Sequence, residues 1–272
     1  MTGSGERRAG TAAAGVEAPP PARRPPPFYE RGGVVLYHGD CRDVLPALEP
    51  GSVDLVLTDP PYGATARPWD TPPDLPAFWR ACARLLAPAG SVALTASQPF
   101  TAAAVTSNLG WFRHEWIWRK SRAANFGGAR YQPMKKHESV LVFAPRRYKY
   151  RPVLVPGSAY RSRTQRPRAD TRYGTFGRAT YQPNETRAAR YPGSVIDVPS
   201  LRQQDSRHPT QKPLGLMEYL VRTYTDPLDL VVDPYAGSGT TLLAARRLGR
   251  RAIGVEAEGR YCEAAARRLD EG

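Results

Sequence analysis

Short apolar runs alternate along this chain with stretches of helical periodicity. Val34-Val35-Leu36-Tyr37 predicts a strand, and Val44, Leu45 and Leu48 follow at helical spacing. Val53-Asp54-Leu55-Val56-Leu57-Thr58 is a mostly apolar run of strand length, the pattern of a strand covered on both faces. Leu75, Phe78, Trp79, Cys82, Leu85 and Leu86 mark an amphipathic helix ended by Pro88 and Gly90. Further strands are predicted over Ser91–Thr95, Trp111–Trp118 and His137–Ala144. Pro213 opens a helix running to about Thr223, with Leu214, Met217, Leu220 and Val221 on one face. A strand from Leu228 to Val232 leads into Asp233, a helix covers Leu242–Leu248 before Gly249, Ala252–Glu256 is a strand, and a last helix covers roughly Arg260–Leu269. Strands alternating with helices predict an α/β fold, a doubly wound, mainly parallel sheet.

Two stretches break the pattern. Residues 1–27 are Ala, Gly and Pro with scattered Arg and predict a disordered tail, since nothing in them offsets the entropy of ordering the backbone. From Pro145 to about Pro192 periodicity fails, and Tyr, Arg, Pro and Gly dominate. Arg146, Arg147, Lys149, Arg151, Arg161, Arg163, Arg166, Arg168, Arg172, Arg178, Arg187 and Arg190 are opposed there only by Asp170 and Glu185. Arginine binds phosphate or guanine and tyrosine stacks, so the segment suits nucleic acid; a solvated basic loop is the plain alternative. The chain thus divides into a tail (1–27), a first half-domain (28–144), a basic insertion (145–200) and a second half-domain (201–272).

Charge sharpens this picture. The chain has 39 Lys+Arg against 25 Asp+Glu, formally +14, which favours a polyanionic partner. Arg greatly outnumbers Lys, so part of the excess is equally read as genomic bias. Cys41, Cys82 and Cys262 are few and widely spaced; no pair has metal-ligand spacing, so no metal is expected, and a reducing cytoplasm fits. No apolar run reaches transmembrane length, and no secretory core is read at the N-terminus, so no membrane association is expected.

Two constellations carry chemistry. After the strand ending at Asp233 comes Gly237-Ser238-Gly239-Thr240-Thr241, then a helix, then a strand ending at Glu256. A glycine turn lets backbone approach a ligand closely, the helix presents free N–H groups, and an acid ending the next strand can accept ribose hydroxyls. There is neither a GxxxxGK[ST] nor a full GxGxxG, which disfavours nucleoside triphosphates and dinucleotides; S-adenosylmethionine, with a ribose and no phosphate, fits better. A turn that merely permits tight helix–strand packing stays open. The second constellation is Asp59-Pro60-Pro61-Tyr62, a loop at the end of the apolar strand. An exocyclic amine is a poor nucleophile because its lone pair is delocalised into the ring. The Asp59 carboxylate and the Pro60 carbonyl can each accept one N–H and turn that lone pair toward a methyl donor. Proline fixes the carbonyl direction, and Tyr62 offers a stacking face. A Pro-Pro turn closing a strand is the plain alternative. If the two strands are neighbours at the switch point of the sheet, both loops share one crevice.

These residues resemble the amino-group DNA methyltransferases of the permuted β type, in which the catalytic loop precedes the cofactor loop. The likeness rests on Asp59-Pro60-Pro61-Tyr62, on Asp233-Pro234-Tyr235-Ala236-Gly237-Ser238-Gly239-Thr240-Thr241 and on His208-Pro209-Thr210-Gln211-Lys212-Pro213. Lys136-His137-Glu138 and Trp118-Arg119-Lys120 also look like the family, and the similarity spans roughly Tyr37 to Leu269. The resemblance implies a Rossmann-like methyltransferase fold and S-adenosylmethionine as methyl donor. It implies that Asp59, Pro60, Pro61 and Tyr62 bind a flipped base, that Asp233, Gly237, Ser238, Gly239 and Thr240 line the cofactor pocket, and that Glu256 holds the ribose. It places Asp40 near the cofactor adenine and His208, Thr210 and Lys212 at its methionine end. Residues 146–192 take the place of the target-recognition region, with Arg161, Arg163, Arg166, Arg168, Arg172 and Arg178 as DNA contacts. Aspartate before Pro-Pro-Tyr is usual for adenine-N6 enzymes and serine for cytosine-N4 enzymes, so adenine in duplex DNA is the expected target. Tyr235, where the family often has Phe, keeps an aromatic ring. Cytosine-N4 methylation, an RNA substrate and an inactive DNA-binding module are the alternatives. A homodimer and a companion restriction endonuclease are both compatible with the family, and the sequence carries no signal for either.

Overall fold

The computed structural model describes residues 24–65, 67, 70–161, 186–201 and 210–272. Its elements run β1 (Tyr29–Arg31), β2 (Val34–His38), α1 (Cys41–Val44), β3 (Val53–Thr58), α2 (Leu75–Leu85), β4 (Leu86–Ala96), α3 (Phe100–Ser107), β5 (Phe112–Ala124) and β6 (Lys135–Phe143). They continue with β7 (Val155–Arg161), β8 (Thr186–Arg190), β9 (Val195–Asp197), α4 (Leu214–Tyr224), β10 (Leu230–Asp233), α5 (Thr240–Arg247), β11 (Arg251–Glu256) and α6 (Gly259–Glu271). Among the described residues the main sheet has the order β1-β2-β11-β10-β3-β4-β6-β5-β9, and β7 pairs with β8 apart from it.

The five strands β2, β11, β10, β3 and β4 are mutually parallel, whereas β1, β6 and β5 join antiparallel. The central strands are apolar on both sides because both sides are covered. Leu55, Leu57, Val140 and Val142 pack with Leu216, Leu220, Tyr224 and Leu242 of α4 and α5. Val56, Leu141 and Phe143 pack on the opposite side with Phe78, Trp79 and Leu85 of α2 and Phe100 of α3. The doubly wound α/β reading therefore holds, with antiparallel strands at both flanks.

Several boundaries differ from the sequence reading for local reasons. Pro88 and Gly90 do not separate helix from strand: β4 already starts at Leu86, and the ladder with β3 slips between Val53↔Leu86 and Leu55↔Ser91. Gly90 is required in that irregular start, because a Cβ there would stand 2.7 Å from the Val53 carbonyl oxygen. Helix α3 and strands β1 and β9 were not legible; α3 is an Ala/Thr-rich run without an apolar stripe.

Part of the patternless stretch after Pro145 is pinned to the core. Lys149 Nζ lies 3.0 Å from Asp54 and 2.5 Å from Asp229, at the amino ends of β3 and β10, and Arg151 pairs with Asp226 at 3.1 Å. These two cations, counted above with the nucleic-acid-binding set, are tied up at the end of the sheet away from the Asp59–Tyr62 loop. Further along, β9 lies parallel to β5 (Ile117↔Val195), so residues 145–200 contribute a strand to the main sheet as well as any insertion.

Candidate active site

Strands β3 and β10 are adjacent and parallel, with Leu55 opposite Val231 and Val56 opposite Val232. Their carboxyl ends therefore deliver Asp59-Pro60-Pro61-Tyr62 and the Asp233–Thr241 turn to one place, although the two segments lie far apart in the chain. Thr58 seals the junction by donating to Asp233 Oδ1 at 2.7 Å. A cleft of about 2280 Å³ opens there, and Asp40, Asp59, Tyr62, Thr210, Lys212, Gly237 and Glu256 all line it. The shared crevice anticipated at the switch point of the sheet is present.

On one side of the cleft, Asp59 sits at the centre of a hydrogen-bond cluster. Lys212 Nζ donates to both of its oxygens at 2.7 Å, Tyr62 Oη donates to Oδ1 at 2.6 Å, and the Thr95 hydroxyl from β4 makes a short contact with the same oxygen. Lys212 is only 6 % exposed and also lies 3.2 Å from Glu138 on β6, which in turn pairs with Lys120 on β5. Burial alone would lower the Lys212 pKa, but the Asp59 and Glu138 carboxylates outweigh it and hold the amine above the usual lysine range. Burial likewise opposes ionisation of Glu138, yet its two lysines carry it below the usual carboxylate value. The resemblance assigns Lys212 to the methionine end of a cofactor; in this structure its ammonium pairs with the Asp59 carboxylate. Tyr62 stacks on Phe100 of α3 at 5.4 Å between centroids, and burial with the Asp59 charge pushes its phenol well above its ordinary pKa, so it acts as a neutral donor.

Asp70 was not singled out from sequence, and it organises this loop. Its carboxylate accepts the backbone N–H groups of Tyr62 (2.8 Å), Gly63 (2.9 Å) and Thr65 (2.6 Å) and the Thr65 hydroxyl (2.7 Å). Although burial works against ionisation, these donors lower its pKa. The readable signal was an acid shortly after a Pro-Pro-Tyr-Gly turn, too common a pattern to select.

On the other side of the cleft the glycine turn has the expected geometry. Gly237 and Gly239 both have positive φ, and a Cβ on Gly239 would stand 3.0 Å from Ala265 of α6. Glu256 accepts Gly237 N–H at 2.8 Å on one carboxylate oxygen and Glu258 N–H at 2.9 Å on the other, leaving lone pairs on both for a diol. Burial raises its pKa against these two bonds. Asp233 is fully enclosed and structural in its contacts: burial raises its pKa to about 6, against hydrogen bonds from Thr241, Thr58 and the Tyr235 N–H. Ser238 is buried and donates to Gln211 at 3.0 Å, while Thr240 receives Arg268 of α6 at 2.7 Å. Asp40 caps α1 and is clasped by Arg42 (2.6–3.0 Å), whose hydrogen bonds lower its pKa. The Tyr235 hydroxyl, absent from a Phe, meets the Cys41 thiol. His208 and Arg163, Arg166, Arg168, Arg172 and Arg178 lie outside the described residues, as does the side chain of Arg161.

Among the described residues no group of His, Cys, Asp and Glu could hold a metal ion, and no helix is long and apolar enough to cross a membrane.

The mixed sheet thus brings Asp59-Pro60-Pro61-Tyr62 and the Gly237–Gly239 turn together at one switch point, where sheets of this class bind nucleoside ligands. The DNA methylase family of N6/N4 type matches residues 53–267, and the chain belongs to that family. It is 27 % identical to the type II methyltransferase M.HinfI of Haemophilus influenzae, over 86 % of this chain and 67 % of that protein. It is 28 % identical to the DNA adenine methyltransferase YhdJ of Escherichia coli K12, over 86 % of this chain and 82 % of that one. Its fold matches the M1.HpyAVI–SAM complex with a TM-score of 0.59 and 25 % identity, covering 87 % of this chain and 99 % of the other. It also matches the cytosine-N4-specific PvuII DNA methyltransferase with a TM-score of 0.64, over 87 % and 86 % of the two chains; at 18 % identity this is a likeness of fold alone.

Proposed function

We propose that this DNA methylase transfers a methyl group from S-adenosylmethionine to the N6 amine of adenine in duplex DNA. The observation that carries the reading is the placement of Asp59 and the Gly237–Gly239 turn at adjoining strand ends of one cleft. The adenine choice is supported by aspartate before Pro-Pro-Tyr and by the likeness to a named adenine methyltransferase.

The cofactor fits the residues present. The turn at Gly237 and Gly239 admits close backbone approach, and Glu256 is held in place by two N–H groups with acceptor capacity to spare for ribose hydroxyls. Thr240, Ser238 and Asp233 shape the turn; Asp40 is assigned to the adenine end and Thr210 to the methionine end, to which the family resemblance also assigns His208. When bound, S-adenosylmethionine supplies a methyl group on a cationic sulfur, already activated for attack.

The protein's part is to bind and orient the amine. The target base must leave the helix, at a cost of a few kcal/mol, and Tyr62 gives it a flat face. Asp59 and the Pro60 carbonyl accept its two N–H groups, and Pro61 restrains that carbonyl. With both hydrogens held in plane, the nitrogen lone pair points out of the ring toward the methyl group. Asp59 is the group placed to balance the charge that appears on nitrogen. The incoming amine competes with Lys212 for the carboxylate, so Lys212 keeps the empty acceptor oriented through Glu138 and Lys120. Arg161, Arg163, Arg166, Arg168, Arg172 and Arg178 are proposed as DNA contacts of the recognition segment. Neither a second copy of the chain nor a companion endonuclease is required by this chemistry.

Single-molecule sequencing of DNA from a methylation-free host expressing the chain tests the proposal. N6-methyladenine in a defined motif supports it. N4-methylcytosine keeps the mechanism and overturns the base; absence of any modified base, with cofactor binding intact, moves the substrate to RNA or the protein to a non-catalytic role.

A further inference from the structure

Strands β5 and β6 continue past the edge of the packed core as a hairpin, and its tip is unusual in composition and place. All residues from Phe126 to His137 except Gly128 are exposed. Phe126 and Tyr131 are 71 % and 91 % exposed, with no apolar surface over them. The tip is nonetheless closed by its own backbone: Gly128, Ala129, Tyr131 and Gln132 donate N–H groups to Asn125, Phe126 and Gly128 carbonyls at 2.9–3.2 Å. A shape held by hydrogen bonds rather than by apolar burial can afford to present its side chains outward.

The charges point one way. No acid occurs between Glu115 and Glu138, whereas Arg119, Lys120, Arg122, Arg130, Lys135 and Lys136 fall in that interval. Arg119 and Lys120 are neutralised by Asp197 and Glu138. Among the described residues Arg122, Arg130 and Lys136 have no acidic partner. Uncompensated cations beside outward aromatic rings are the footprint of a nucleic-acid contact.

The hairpin also stands at the right place. Arg122, Asn125, Gln132 and Lys135 line the same cleft as Asp59 and Tyr62. The Asn125 and Gln132 amides converge over Gly128, where an added Cβ would stand 2.9 Å and 3.0 Å from their nitrogens. Paired amides are the side chains suited to the donor and acceptor edge of adenine. At its root, the Lys120–Glu138–Lys212 chain connects the hairpin to Asp59.

We propose that the Arg122–Lys136 hairpin tip is a second duplex-DNA contact, separate from the 146–192 segment, flanking the target base. Arg122, Arg130 and Lys136 grip phosphates, Asn125 and Gln132 face base edges beside the target, and Phe126 and Tyr131 supply stacking surface. The inference rests on the DNA-methylase reading of the cleft.

The test uses the full chain with all three cations changed (Arg122→Gln, Arg130→Gln, Lys136→Gln) and mixed-sequence duplex DNA, titrated across a salt series. Three lost phosphate contacts lower the slope of log affinity against log salt by about 2.7 and weaken binding at low salt by more than about tenfold. S-adenosylmethionine affinity and thermal midpoint stay at wild-type values, because all three side chains are exposed. An unchanged slope in a variant whose parent methylates duplex DNA overturns the hairpin assignment alone. A parent that neither binds nor methylates duplex DNA overturns the cleft reading and the hairpin with it. Gln132→Ala separates grip from reading: relaxed preference at one base pair with an unchanged slope supports base contact, and an unchanged motif overturns that part.

Discussion

Lys212 Nζ is 2.7 Å from each oxygen of Asp59, across 153 residues of sequence. The contact joins the loop before α4 to the loop after β3, and Glu138 completes it from β6 at 3.2 Å. On the proposed reading, the acceptor for the amine is therefore already held by a buried cation before any base arrives. On that reading Lys212 is a positioning residue for Asp59, a role that kinetics can distinguish from gripping a cofactor. A lysine gripping a cofactor carboxylate sets cofactor affinity; one orienting Asp59 sets the rate of transfer.

Lys212→Met is expected to lower kcat by about a hundredfold and to leave the S-adenosylmethionine Kd within a few-fold. It is also expected to destabilise the fold by about 3–5 kcal/mol, since Asp59 and Glu138 lose a shared buried partner. Isothermal titration, single-turnover transfer and urea unfolding read the three quantities. A large rise in Kd with unchanged single-turnover rate returns Lys212 to the methionine end of the cofactor.

Asp59→Ala removes the acceptor itself. Transfer is expected to fall by at least about 10²–10³-fold, while cofactor binding persists because Gly237, Gly239 and Glu256 are untouched. Lys212 keeps Glu138, so the variant remains folded. Equal loss of transfer and cofactor binding would show that Asp59 shapes the pocket rather than the reaction.

Asp70 tests the loop. Asp70→Ala strands three N–H groups of the Tyr62–Thr65 turn, at about 1–3 kcal/mol each where water cannot reach them. Its lowered pKa gives the sign of the pH dependence. The native carboxylate contributes stability above its ordinary value of 3.8, and that contribution is lost as pH falls through the lower folded value. The gap in thermal midpoint between wild type and Asp70→Ala is accordingly expected to be full at neutral pH and to shrink in strong acid. A gap that does not change with pH would mean the loop is held by something other than this carboxylate.

What could be read without coordinates was what periodicity and short motifs encode. Leu55-Val56-Leu57 is apolar on both sides because helices cover both faces, so the buried strand and the loop that ends it were legible together. The Gly237–Gly239 turn was legible because positive φ leaves a compositional mark. The partners of these residues were not. Thr95 and Phe100 reach the site from β4 and α3 through tertiary packing, and nothing near them in sequence announces that; Asp70 reaches it locally, but an acid a few residues after a turn is too common a pattern to select. Lys149 and Arg151 show the converse: an arginine-rich stretch looked uniformly available to DNA, and two of its cations are held by Asp54, Asp229 and Asp226. Charge composition records the sign of a side chain and says nothing of its partner.

Gly239→Ala probes the close approach behind the cofactor turn. The residue has φ of +73°, and its new Cβ would press on Ala265 at 3.0 Å. A positive φ on alanine costs about 1 kcal/mol, and relieving the contact requires α6 to shift from the turn. A lowered midpoint with weakened S-adenosylmethionine binding is expected; unimpaired binding would separate the turn from the cofactor.

Asp233 gives the last test, through proton linkage. Burial raises its pKa from 3.8 to about 6. The folded protein therefore holds a proton that the unfolded chain has released between those values, and stability falls as pH rises across that interval. Above about pH 6 the penalty is constant, at about 3 kcal/mol for a shift of this size. Asp233→Asn keeps an oxygen for the Thr58 and Tyr235 donors and cannot ionise. It is expected to be more stable than wild type at pH 8, with the advantage shrinking as pH falls from 6 toward 4. Urea unfolding of both proteins across this range measures the difference directly. An advantage independent of pH would mean that Asp233 ionises in the fold as freely as in solvent, and that the Thr58, Thr241 and Tyr235 hydrogen bonds fully offset its burial.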